Sequence, residues 1–139
     1  MAKRGRGVDK FDLEDRLINF SVNIADIVES LPNTRLGNHI AGQLLRAGTS
    51  PASNYGEAQS AESRRDFVHK MKIALKELRE AYVWLKIIRC KNLVGNSDGL
   101  NQSLSENNEL ISIFVTSIMT AQRNMRAVGI SNIEQGMMK

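Results

Sequence analysis

The chain has 139 residues, 42% hydrophobic and 24% charged, which suits one domain with its own apolar core. Its net charge of +4 and pI near 9.5 favour an anionic partner. No apolar run approaches the roughly 20 residues of a membrane span, no apolar segment follows the basic start MAKRGRG to make a secretory signal, and the single Cys90 allows no intrachain disulfide, which fits a cytoplasmic location.

Residues 1–10 hold Lys3, Arg4, Arg6 and Lys10 with two glycines and almost nothing to bury, and read as a basic flexible tail. A first helix is predicted over residues 11–31, capped by Asp9 and ended by Pro32. Leu13, Leu17, Phe20, Ile24, Ile27 and Leu31 recur at spacings of 3 and 4, which makes one apolar stripe. Asp12, Glu14 and Asp15 fall in its first turns, where carboxylates suit the helix dipole. Asn33 is the expected cap of a second helix carrying Leu36, Ile40, Leu44 and Ala47. Gly48-Thr49-Ser50-Pro51 then predicts a break: Ser50 caps a restarted helix and Pro51 takes its first position, where a missing N–H is harmless. One kinked helix, or two stacked segments, is expected over residues 34–60.

Ser63 and Asp66 resemble a capping box for the third helix. Its stripe is Phe67, Met71, Ala74, Leu78, Ala81, Leu85 and Ile88, ending near Lys91. Gly95, Asn96, Asp98 and Gly99 mark a loop. The fourth helix is predicted from residue 103 or 105 to 128, with Ile111, Phe114, Ile118, Ala121, Met125 and Val128 inward. Gly129 is expected to stop it, leaving residues 129–139 as a frayed tail. The fold class is therefore all-α, an antiparallel up-down four-helix bundle over residues 11–128 with a Gly/Pro break in its second helix.

Two helices carry more apolar surface than a monomeric bundle needs. Ile73, Val83, Trp84 and Ile87 lie off the third stripe, and Ile113, Val115 and Met119 off the fourth. These seven are candidate contacts between copies, because soluble monomers rarely expose such patches. Broad stripes touching two neighbours within one bundle are the competing reading.

Little supports catalysis. His39 and His69 are the only histidines, and with Cys90 they form no ligand cluster of the kind zinc needs. Neither a paired Glu-x-x-His signature nor any phosphate-loop, dinucleotide or nucleophile-elbow motif occurs. No catalytic residue, metal site or cofactor is expected, and the chain does not read as an enzyme.

The third helix gives a different signal. Arg65, Lys72, Lys76, Arg79 and Lys86 project within a narrow arc roughly opposite the apolar stripe, while Glu62, Asp66, Glu77 and Glu80 occupy another flank. A line of cations along a helix can follow a phosphate backbone. It can also be a solvated face with local pairs such as Asp66–Lys70 and Lys76–Glu80. With few aromatics for stacking, binding would favour backbone and shape over base sequence.

Gln43, Arg46, Ser50, Asn54 and Glu57 share an arc of about 80° beside the second stripe. Half-buried polar groups need partners, and Glu77, Glu80 and Arg79 are within plausible reach of Arg46 and Glu57. A network fixing the register of helices two and three is preferred to a ligand site.

The same residues carry a resemblance. Gln43, Arg46, Ser50, Asn54, Glu57 and Ala58, then Asp66-Phe67, Lys76-Glu77-Leu78, Glu80 and Trp84-Leu85, resemble the small four-helix proteins encoded in intervening sequences of bacterial 23S rRNA genes. Accessory proteins of diversity-generating retroelements look like distant relatives. The resemblance covers roughly residues 12–122. It implies a ring-like homopentamer with no established catalysis, and the retroelement relatives imply contact with nucleic acid and with a reverse transcriptase. Two functional expectations follow. One is a non-enzymatic oligomeric bundle that binds RNA or DNA backbone through Arg65, Lys72, Lys76, Arg79, Lys86 and the basic tail. The alternative is a protein–protein scaffold without nucleic-acid contact, in which acidic helix one (Asp12, Glu14, Asp15, Asp26, Glu29) meets the basic third helix of a neighbour.

Overall fold

The structure is a computed structural model that describes the backbone of residues 10–137 and the side chains of residues 13–128. Lys3, Arg4, Arg6 and the expected Asp9 cap lie outside the described residues. Four helices follow one another: α1 (Lys10–Glu29), α2 (Arg35–Gln59), α3 (Arg64–Cys90) and α4 (Asp98–Met137). Among the described residues there is no strand. Each helix packs on the next and α1 closes against α4, while the backbones of the diagonal pairs α1–α3 and α2–α4 stay more than 8 Å apart between Cα atoms among the described residues. Short connections and sequential neighbours make this the expected antiparallel up-down bundle.

The core is built mostly from the predicted stripes, although Leu36, expected inward on α2, is exposed. Leu17, Phe20 and Ile24 of α1 meet Ile40, Leu44 and Ala47 of α2, Met71, Leu78 and Leu85 of α3, and Leu110 and Phe114 of α4, all essentially inaccessible. Each large side chain so buried contributes about 1.5–3 kcal/mol. Tyr55 and Phe114 meet edge to face, with ring centroids 6.0 Å apart.

α2 departs from the predicted break. It runs unbroken through Gly48 and buried Pro51. Ser50 is helical and caps nothing; its Oγ is buried without a partner. Proline removes the bond that would reach the carbonyl four residues back, and side-chain donors gather around the spot. Ser21 Oγ of α1 donates to Gly48 O (3.1 Å), Thr49 Oγ1 to Leu45 O (2.7 Å), and Ser53 Oγ (3.0 Å) and Asn54 Nδ2 (3.1 Å) to Ser50 O. Gly48 earns its place differently: a Cβ there would lie 2.6 Å from Ile24 Cγ2, so α1 and α2 approach closely only because no side chain intervenes.

The helix ends shift by small amounts. Thr34, not Asn33, caps α2, its side chain accepting from Gly37 N. A Cβ on Gly37 would lie 2.0 Å from Pro32 O, so the tight α1–α2 turn requires glycine. Ser63 caps α3 as predicted, accepting from Asp66 N at 3.0 Å. α4 begins at Asp98, earlier than expected, with Ser97 Oγ accepting from Leu100 N at 3.1 Å. Its inward face therefore starts with Leu100, Leu104 and Leu110, while Ile111 and Met125 are half-buried and Val128 is exposed. Gly129 does not stop α4, whose backbone continues to Met137; a helical glycine costs only about 1 kcal/mol relative to alanine.

Candidate nucleic-acid interface

The cationic face depends on what happens beside it. On the α2-facing flank of α3, Glu77 and Glu80 are taken by Arg46: Nη1 donates to Glu77 Oε1 at 2.5 Å and Nη2 to Glu80 Oε2 at 2.6 Å. Gln43 Oε1 accepts from the same guanidinium at 3.5 Å. The charge of Glu77, then that of Glu80, raises the Arg46 pKa above its ordinary value. One turn-pair further along, Lys70 Nζ donates to Glu57 Oε1 at 2.7 Å, and that bond raises the Lys70 pKa. The local pairs Asp66–Lys70 and Lys76–Glu80 are thus displaced by pairs between helices.

Arg65, Lys72, Lys76, Arg79 and Lys86 are left exposed, and none forms an ion pair among the described residues. Lys86 Nζ lies over the Tyr82 ring, 5.3 Å from its centroid. From Arg65 to Lys86 the line runs about 32 Å along the axis at 1.5 Å per residue.

Of the set spaced across Pro51, Arg46 and Glu57 bridge α2 to α3, Gln43 supports Arg46, and Asn54 bonds the Ser50 carbonyl. A further inter-helix clamp joins α1 to α4, where Arg16 donates to Glu106 through Nε (2.8 Å) and Nη2 (2.7 Å) and to Glu109 at 3.0 Å. Bonding to Glu106 is the largest cause of its raised pKa.

The apolar candidates divide. Trp84, Ile87 and Ile113 pack partly against the bundle's own core, and Ile73 and Val115 are half-buried. Trp84 meets the ring of His39 edge on at 5.6 Å between centroids. Val83 (54%) and Met119 (53%) stay open to solvent. Sequence reasoning missed Ile18 (46% exposed) and Val22 (54%) on α1 and Leu45 (42%) on α2. Their outward position was legible for α1, because residues 18 and 22 lie off the 13–17–20–24 spacing.

An open cleft of about 560 Å³ lies where the α2–α3 turn meets α4, lined in part by Gln59, Ser63, Arg64, Ser117 and Asn124. It brings together no nucleophile and base. Among the described residues no three His, Cys, Asp or Glu side chains gather in a metal-holding group, and no helix is long and apolar enough to cross a membrane.

A model of the family described as 23S rRNA-intervening sequence protein matches residues 10–116. The crystal structure of a protein of unknown function from the S23 ribosomal protein family of Bacteroides thetaiotaomicron VPI-5482 is similar. The two share 31% identity over 76% of this chain and 97% of that one, with a TM-score of 0.68. No curated protein matches.

Proposed function

Because the chain belongs to the 23S rRNA-intervening sequence protein family, we propose that it works without catalysis, as a self-associating bundle that binds RNA or DNA backbone through the outer face of α3. The observation that carries this reading is that Arg65, Lys72, Lys76, Arg79 and Lys86 are exposed and form no ion pair among the described residues, beside carboxylates already held by Arg46. Cations with no local counter-charge release counterions when they meet phosphates, which favours association at low salt. Their run of about 32 Å is close to one turn of a B-form duplex, about 34 Å. Assembly into a ring of five, as the resemblance implies, would repeat the line and multiply its effect.

Titration of structured RNA and of duplex DNA across a salt series tests the reading. Affinity is expected to fall linearly on a log–log plot, and K72E/K76E/R79E to lower it at least tenfold without changing the melting temperature. Absence of binding at about 50 mM salt would reject it and select the second reading, a scaffold for another protein. That reading is favoured by the exposed Ile18, Val22, Leu45 and Met119.

A further inference from the structure

The outward face of α1 has a pattern. At 100° per residue, Glu14, Ile18, Val22, Asp26 and Glu29 fall within an arc of about 120°. Ile18 and Val22 are exposed, one turn apart, with an exposed carboxylate a turn before them and two more after. The outward face of α3 near its C-terminus has the same pattern with the opposite charge. Arg79, Val83, Lys86, Ile87 and Cys90 fall within about 100°, and Val83 and Ile87 are also four residues apart. Val83, Lys86, Ile87, Cys90 and Lys91 line one shallow apolar groove of about 280 Å³. Each apolar pair spans about 6 Å of helix. An acid-flanked pair therefore matches a base-flanked groove in spacing, polarity and sign.

These faces cannot meet within one molecule. α1 and α3 are diagonal in the bundle and face each other only across the core, so their outer surfaces look in opposite directions. We infer that the occupant of the α3 groove is α1 of a second copy, with Ile18 and Val22 seated beside Val83 and Ile87, and Glu14, Asp26 and Glu29 facing Arg79, Lys86 and Lys91. Different patches on the two partners make the contact heterologous: it propagates head to tail and either closes into a ring or grows. The inference rests on the self-association in the proposed function and not on nucleic-acid binding. It assigns the C-terminal end of the cationic line to assembly and leaves Arg65, Lys72 and Lys76 for phosphate.

Cys90 is the chain's only cysteine and is exposed in this groove, which makes a clean crosslinking test. Three full-length proteins are oxidised with diamide, which takes up the two electrons and two protons of each thiol pair: wild type, V22C/C90S, and V22C. Head-to-tail docking predicts that only V22C, which carries both halves of the contact, yields a ladder beyond the dimer. S53C, on the exposed face of α2, is expected to crosslink to Cys90 several-fold less. In parallel, D26K/E29K is expected to lower the mass measured by light scattering, and K86E/K91E in the same chain to restore it. Efficient dimers from wild type or V22C/C90S would mean a symmetric contact and overturn the inference. So would an oligomer by light scattering in which V22C forms no ladder, an outcome that leaves self-association standing. A monomer at micromolar concentration would remove both, and give the two faces to other partners.

Discussion

Asn107 is the least expected residue of the core. It is fully buried on α4, where the 3/4 spacing of Leu100, Leu104, Leu110 and Phe114 calls for an apolar side chain. The amide orientation that satisfies its surroundings has Nδ2 donating to Leu78 O at 3.0 Å and Oδ1 accepting from Tyr82 N at 3.1 Å. Those backbone groups lie four residues apart on α3, so one side chain spans a rung of the neighbouring helix's own ladder. Such a bond fixes the axial register of α3 and α4, because a shift of either helix leaves the buried Asn107 amide without its partners. Asn107→Asp is expected to destabilise the fold by roughly 3 kcal/mol at neutral pH, since a buried carboxylate would face the Leu78 carbonyl. Burial raises the folded-state pKa of that acid above its unfolded value. Stability should therefore return as pH falls through the raised folded-state pKa toward the unfolded carboxylate range, where a neutral acid donates to Leu78 O as the amide did. Urea titrations of N107D at pH 7 and pH 4 measure this, and equal stability at both would refute it. Glycines make a second contrast. Gly42 has open space where a Cβ would stand, so G42A should stabilise α2 by up to about 1 kcal/mol. G48A offers the same gain in propensity but drives a methyl into the branched Ile24, an overpacking cost of about 1–3 kcal/mol. Because Ile24 is stiff and buried, the cost wins, and G48A should lower the urea midpoint.

At the scale of elements, hydrophobic spacing carried most of what was legible. The stripes of α1 and α3 appear almost residue for residue in the core, with Val68 joining the face predicted to begin at Phe67. The Gly48–Pro51 stretch was not legible, because helix propensity is local while the groups that hold α2 together there include Ser21 on another helix. Nor was the start of α4: Gly95 and Gly99 read as one loop, although Ser97 alone supplies a cap for the helix. The exposed cations could be listed from sequence, but whether their acidic neighbours neutralise them depends on a partner 31 and 34 residues away. That dependence makes a test. Arg46 lies on α2, outside the cationic line, yet R46A would release Glu77 and Glu80 beside Lys76 and Arg79. R46A should therefore weaken nucleic-acid binding several-fold more than R123A, which removes the same charge from exposed α4. Any loss of stability in R46A should shrink in high salt, because Arg46 itself is half exposed, although the substitution leaves the mostly buried Glu77 carboxylate without its cation. Equal effects of the two substitutions on binding would mean that only net charge matters.

Across the whole molecule, the two outer faces set a competition between assembly and phosphate binding. Arg79 and Lys86 belong to both surfaces. A monomer would present all five cations of α3, whereas an assembled copy would present mainly Arg65, Lys72 and Lys76, repeated once per subunit. I18E/V22E separates these states, because both side chains are exposed and their replacement leaves the core untouched. This variant is expected to be monomeric with an unchanged melting temperature. Its affinity for duplex DNA should then fall with salt at a log–log slope near −4.5, about 0.9 for each of five phosphates. The wild-type assembly should bind more tightly and with a steeper slope, since several lines of three cations act on one duplex and the second contact forms at high effective concentration. A monomeric variant with the wild-type slope would mean that only one line touches the nucleic acid at a time. In that case the bundle would display its cations around the assembly for separate strands instead of gripping one.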